Sequence, residues 1–344
     1  MSVKQLRWGI ISTGSIAHTL ARALAKSSTG ELVAVASRSQ EAACNFAREF
    51  GVPHAHASYE ALLANPEVDV VYIATPHPSH AEWVVQAARA KKHVLCEKPL
   101  GMNHAQVSRM VQAAREHDVF LMEAFMYRCH PQTQRLVALL KSGTLGQVKA
   151  IQATFGFDGA FEPGHRVINH ELGGGGILDV GCYPVSMARL VAGIASGVAF
   201  GEPLELHALG HVGDRSRVDE YSVAILKFPG EILATLATSV QLAQDNVVRI
   251  FGSEGRLLLK EPWHPGSERD FTEIVIERPG REPEIVRVAS ASTAYGYELE
   301  AVAAQIAQRE AHEMTLADSL GNALTLDRWR NAIGVTFAAD SAQA

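Results

Sequence analysis

From residue 6 to about 122 the chain alternates two hydrophobic rhythms. Short runs rich in β-branched residues, RWGIIS, ELVAVAS, VDVVYIAT, KHVLCE and VFLME, are apolar at successive positions, as strands covered on both faces must be. Between them HTLARALAKS, SQEAACNFAREF, SHAEWVVQAARA and HAQVSRMVQAAREH carry apolar residues three and four apart, the spacing of one helix face. Strands alternating with helices predict a parallel, doubly wound sheet, because each parallel crossover needs a helix to bring the chain back. A Rossmann-type α/β domain is therefore expected over residues 1–125.

Beyond MEAFMYRCHP and one further helix at about Gln132 to Lys141 the rhythm changes. VKAIQATFGF, ELHALGHV, EYSVAILKF, EILATLATSV, NVVRIFGSEGRLLLK and TEIVIER follow one another across short Gly, Pro or Asp turns, with few helices between them. That pattern predicts an α+β domain over 126–344 with a large, mostly antiparallel open sheet, and a helical tail, 295–337, packing back onto the body. An open sheet lacking a full complement of helices exposes an apolar face, which a twin copy would remove from water. A homodimer or higher homo-oligomer through this sheet is expected.

A chain of 344 residues exceeds what one core usually supports, in keeping with two domains. Its net charge of −6 is spread along the sequence, and no Lys/Arg-rich run could track phosphates, which argues against nucleic acid as a partner. No apolar leader opens the sequence and no uninterrupted run of about 18 apolar residues occurs, which argues against a membrane. Cys44, Cys96, Cys129 and Cys182 show no CxxC spacing, so reduced thiols and a cytoplasmic setting are expected.

The chemistry concentrates at two places. In GIISTGSIAHTLARAL the phosphate fingerprint G-x-G-x-x-G/A falls on Ser12, Gly14 and Ala17, with Thr13, Ser15 and Ile16 completing the turn into a helix. Serine at the first position departs from the pattern. About 20 residues further on, where an acid would hold the ribose 2′-hydroxyl of NAD, the chain reads Ser37-Arg38. A guanidinium there suits a 2′-phosphate, so the cofactor expected is NADP. The second place is GGGGILDVGCYP, residues 173–184, which sets Asp179 and Tyr183 four residues apart, on one face of a helix that begins after the glycines.

IATPHPSHAEW, VLCEKPLGMN and the glycine-run segment, in that order and spacing, resemble the Gfo/Idh/MocA oxidoreductases over nearly the whole chain. Tyr183, where many relatives carry His, and MEAFMYRCHP make the sequence most similar to the branch of glucose–fructose oxidoreductase, NADP-dependent xylose dehydrogenase and dimeric dihydrodiol dehydrogenase. The resemblance implies that Lys98, of the EKP motif with Glu97, sits beside the nicotinamide, and that Lys98, Asp179 and Tyr183 are catalytic. It implies cofactor contacts at Thr75, Pro76 and His80, and substrate contacts at Phe125, Tyr127, Arg128 and Arg166 as well as at the catalytic residues. The glycine run is expected to let the chain pass close to the cofactor.

A tyrosine titrates near ~10, so a neighbouring Lys98 ammonium would be needed to favour its phenolate, with Asp179 orienting the cluster. His165, His170 and Glu171 put no pair on one clear face, so no metal site is expected and they are assigned substrate-pocket or structural roles. The function expected is an NADP(H)-dependent dehydrogenase acting on CH–OH groups, with an aldose of the D-xylose or D-glucose kind as substrate. The alternatives are a trans-dihydrodiol dehydrogenase, a dicarbonyl-sugar reductase, or a dinucleotide-sensing regulator without turnover.

Overall fold

A computed structural model describes residues 5–162, 164–267 and 269–341. The chain forms two compact units, one of residues 1–101, 105–129 and 292–319, the other of 102–104, 130–291 and 320–344.

The first unit holds six parallel strands: β1 Leu6–Ile11, β2 Gly30–Ala36, β3 His54–His56, β4 Val70–Ile73, β5 His93–Glu97 and β6 Leu121–Ala124. They lie in the order β3-β2-β1-β4-β5-β6, so the direction of winding reverses beside β1. In such sheets ligands bind outside the carboxyl ends of the strands at this switch, here after Ile11 and Ile73. Helix Ser15–Leu24 buries Ala17, Leu20, Ala21 and Leu24, the stripe the sequence pattern foretells. Residues 292–319 belong to this unit because helix Ala294–Gln305 buries Leu299 and Val302 and packs against helix Ser15–Leu24. Arg309 then clasps Asp118 with two hydrogen bonds of 2.9 Å.

The second unit is built on eight strands: β7 Val148–Gly156, β8 Glu205–Val212, β9 Asp219–Phe228, β10 Ile232–Ser239, β11 Val248–Gly252, β12 Arg256–Leu259, β13 Phe271–Glu277 and β14 Glu284–Ala289. Their order is β14-β13-β12-β11-β7-β10-β9-β8; β7 and β10 are parallel and every other neighbouring pair is antiparallel. Along β9 and β10 burial alternates, with Ala224, Leu226, Ala234 and Leu236 inside. The outer face leaves Leu209, Tyr221, Val223, Ile225 and Leu233 exposed.

Residues 170–195 have the length and mean hydropathy, 1.4, of a membrane span, yet 94% of their apolar window is buried inside the protein. The stretch supplies the core helix under β7 and β10.

Candidate active site

The strand-to-helix turn after β1 has the features of an anion seat. Gly14 precedes helix Ser15–Leu24, whose first turn has no side-chain cap and no acidic residue, leaving its N–H dipoles uncompensated. A Cβ on Gly14 would meet nothing nearer than Ser12 Oγ at 3.8 Å, so open space lies over this backbone. Ser12 adopts φ 96°, a left-handed conformation that glycine accepts without strain, and its N–H is tied to Ala36 O at 2.9 Å. The serine thus keeps the backbone geometry that the missing glycine would provide.

At the end of β2, Ser37 Oγ accepts the Ser39 N–H at 3.3 Å, and Ser39 caps the next helix. Arg38 is exposed, and its charge acts on the Tyr59 phenol. Burial pushes the Tyr59 pKa up against the pull of Arg38, and its ring meets Trp83 edge-on with centroids 4.8 Å apart.

The turn carrying Lys98 is fixed from beneath by two buried carboxylates. Tyr72 donates to Glu97 Oε1, the Lys98 N–H donates to Glu97 Oε2 at 3.2 Å, and the Leu100 N–H donates to Glu123 Oε1 at 2.8 Å. The Lys98–Pro99 peptide is cis. Fully buried His80 faces the Thr75 carbonyl at 2.8 Å and the Pro99 carbonyl at 3.0 Å, and burial pushes its pKa down. With its ring nitrogens lying against these two carbonyls, and the neutral ring's single N–H donating to one of them, His80 packs the Thr75-Pro76 loop against the Lys98 turn. Glu97 likewise organises the turn through its own unit. Thr75 Oγ1 is buried with no hydrogen-bond partner among the described residues.

In the second unit the glycine run opens a π-helical turn, Ile177–Gly181, that continues as helix Cys182–Ala195. Such turns hold one residue more than an α-helical turn and recur at functional sites. Asp179 is buried and accepts from Arg166 Nη1 at 3.0 Å. Tyr183 is 4% exposed; its ring lies 5.2 Å from Phe155 and 5.8 Å from Trp263, which stack on each other at 5.6 Å. The Trp263 Nε1–H is anchored on Thr154 O at 2.8 Å.

The glycines make room for the protein's own groups. A Cβ on Gly174 would lie 2.5 Å from Val167 O, one on Gly175 2.3 Å from Asp219 Oδ1, and one on Gly176 3.3 Å from Asp219 Oδ2. The expected close approach to a cofactor is thus replaced, at these three positions, by close approach to Val167 and Asp219.

The remaining expected residues are placed as follows. Phe125 and Tyr127 are fully buried edge to face at 6.0 Å, and buried Arg128 is ion-paired with Asp318 at 2.8 Å, all in the first unit. His165 stacks on Phe161 at 4.3 Å and caps the Arg166 turn, and His170 faces Thr336 O at 2.7 Å. Lys98 belongs to the first unit, and Arg166, Asp179 and Tyr183 to the second. Sequence reasoning missed Glu123, although it lies in MEAFMYRCHP, and Phe155, Asp219, Trp263 and Glu298, which lie outside any motif.

Residues 6–125 match the Gfo/Idh/MocA oxidoreductase family, NAD-binding Rossmann fold, and residues 133–258 match the Gfo/Idh/MocA C-terminal domain. The chain belongs to this family. It is 37% identical to trans-1,2-dihydrobenzene-1,2-diol dehydrogenase of Danio rerio over 98% of its own length and 99% of the relative's. The Mus musculus enzyme of the same name is 36% identical, over 97% and 99%. Among solved structures it is similar to a 3-ketoreductase of Actinomadura kijaniata in complex with NADP and TDP-benzene, with TM-score 0.86, 29% identity, and 96% and 98% of the two chains covered.

Proposed function

We propose that this oxidoreductase is an NADP(H)-dependent dehydrogenase of a six-membered ring bearing adjacent hydroxyls, an aldose in pyranose form being the first candidate. The observation that carries the reading is Tyr183, a buried phenol on the helix that continues the Asp179 turn, meeting the stacked rings of Phe155 and Trp263 edge to face. Such faces suit the apolar surface of a ring, while Asp179 and Arg166 suit its hydroxyls.

The residues at the cofactor side fit NADP. The uncapped helix after Gly14 and the open space above that glycine suit a pyrophosphate, and the Arg38 guanidinium suits a 2′-phosphate. When bound, NADP+ supplies the hydride acceptor. Tyr183 Oη takes the proton of the reacting hydroxyl, and the Lys98 ammonium supports the negative charge left on the phenol or substrate oxygen. Asp179, held by Arg166, accepts a hydrogen bond from the substrate and orients it.

The second reading, a trans-dihydrodiol as substrate, is favoured by the full-length relatives of that activity and by the apolar rings around Tyr183. A panel of D-xylose, D-glucose and a trans-1,2-dihydrodiol, each with NADP+ and followed by nicotinamide absorbance, distinguishes them. Turnover of none, with NADPH still bound, would leave a dinucleotide sensor. We further propose a homodimer through the exposed sheet face, and a cytoplasmic setting in keeping with four free cysteines.

A further inference from the structure

Asp219 opens β9 and is 1% exposed. Its Oδ2 accepts the Ile177 N–H at 2.6 Å, and the dipoles of the nearby Gly176 and Asp219 N–H groups favour the charged carboxylate. Oδ1 has no hydrogen-bond partner among the described residues and stands where a Cβ of Gly175 would be, 2.3 Å away. Gly175 has φ 106°, so two independent constraints, space and backbone, exclude a side chain there. Thr238 Oγ1 donates to Gly176 O at 3.0 Å and closes the opposite side of the same peptide. Burial pushes the Asp219 carboxyl up to about 7 against those N–H groups and Arg330. An acid in so unfavourable a place is poorly explained by stability alone, since a buried polar group with an unmet acceptor is destabilising.

We propose that Asp219 is a positioning residue for the reaction: it clamps the Ile177 N–H that opens the π-helical turn and thereby sets where Asp179 and Tyr183 stand. The clamp rests on the proposed roles of those two residues, but its structural half stands apart from them. Gly175 and Gly176 then have a purpose of their own, to admit a carboxylate from another element into the start of a helix. Misplacement of the turn by a fraction of a side-chain length leaves binding intact and slows chemistry, because catalytic geometry is steeper than binding geometry.

The test uses the full-length protein with three variants, Asp219→Ala, Asp219→Asn and Gly175→Ala. Hydrogen–deuterium exchange of the segment 173–183 and the kinetic constants of the preferred substrate are measured beside NADPH affinity. In Asp219→Ala and Gly175→Ala exchange should rise in that segment and kcat should fall about 10- to 100-fold, with NADPH affinity unchanged. Asp219→Asn, which keeps one acceptor oxygen, should regain most of both. Unchanged exchange in Asp219→Ala overturns the clamp whatever the activity. Raised exchange with undiminished kcat overturns the positioning role, and Gly175→Ala decides both points if Asp219→Ala does not fold. Raised exchange together with no wild-type turnover on the whole panel sinks the dehydrogenase reading and keeps the clamp.

Discussion

Arg166 donates from Nη1 to Asp179 Oδ1 at 3.0 Å, with about half of the arginine side chain in solvent and only 5% of the aspartate side chain exposed. The pair carries charge from the surface to a buried carboxylate. Arg166→Ala should therefore lower kcat/KM for the sugar or diol about 10- to 100-fold, the scale of one charge-assisted hydrogen bond of ~1.5–3 kcal/mol. Arg166→Lys should restore part of it. Equal kcat/KM in wild type and the alanine variant would show that the guanidinium does nothing for Asp179 in turnover.

Tyr183→Phe keeps the ring among Phe155 and Trp263 and deletes only the hydroxyl. Single-turnover hydride transfer at saturating cofactor should fall about 10²–10⁴-fold, the usual contribution of general acid–base catalysis. Lys98→Ala should lose a similar factor, and the double variant far less than the product, since groups acting as one unit are not additive. A wild-type single-turnover rate in Tyr183→Phe would make it a core residue and leave Lys98 as the proton carrier.

For the cofactor, Arg38→Ala should shift the NADPH-to-NADH affinity ratio about 10- to 100-fold toward NADH, from loss of a charge-assisted bond of ~1.5–3 kcal/mol. Isothermal titration with both nucleotides measures it. Tighter binding of NADH than NADPH by the wild type contradicts the assignment outright.

Glu298 is fully buried, neither carboxyl oxygen has a hydrogen-bond partner among the described residues, and burial, with Glu97 adding to it, pushes its pKa well up. Because the folded state keeps this proton after the unfolded chain has released it, Glu298 takes stability away as pH rises above about 4.5. Asp219 acts in the same direction up to about 7. Glu298→Met should raise Tm more at pH 8 than at pH 5, with a gain of ~1–3 kcal/mol for removing an unmet buried polar group. A Tm increment independent of pH would show that Glu298 is charged in the fold.

The face bearing Leu209, Val223, Ile225 and Leu233 predicts self-association. Sedimentation should give a dimer or larger species at micromolar concentration, and Val223→Lys with Ile225→Glu should give monomers that keep NADPH binding. A monomeric wild type refutes this use of the sheet.

The order of most strands and helices in the first unit was legible because their apolar runs each keep a single rhythm. Two strands escaped: β3 has three half-buried residues, His-Ala-His, and β14 alternates exposed charges with modest apolar residues at a sheet edge. The parallel pairing of β7 with β10 was equally hidden, since 83 residues separate the partners Ala150 and Leu233 and no local signal marks the register. Lys98, Asp179 and Tyr183 stand in motifs and could be proposed from the sequence. Asp219 and Glu298 could not be, because a buried acid and a surface acid are the same letter until distant elements close around it. Arg128 illustrates the converse: its motif suggested substrate, and Asp318, far along the chain, is what it meets.

Helix Ala294–Gln305 and Arg309 complete the nucleotide unit from the far end of the chain. A ribosome must therefore release residue 319 before this unit has all its parts, although its six strands emerge by residue 124. A fragment cut at 129 would leave the flank of helix Ser15–Leu24 uncovered and Asp118 without its arginine. Synthesis order thus gives a newborn chain in which all eight strands of the second sheet emerge while the first unit still waits for its closing helix.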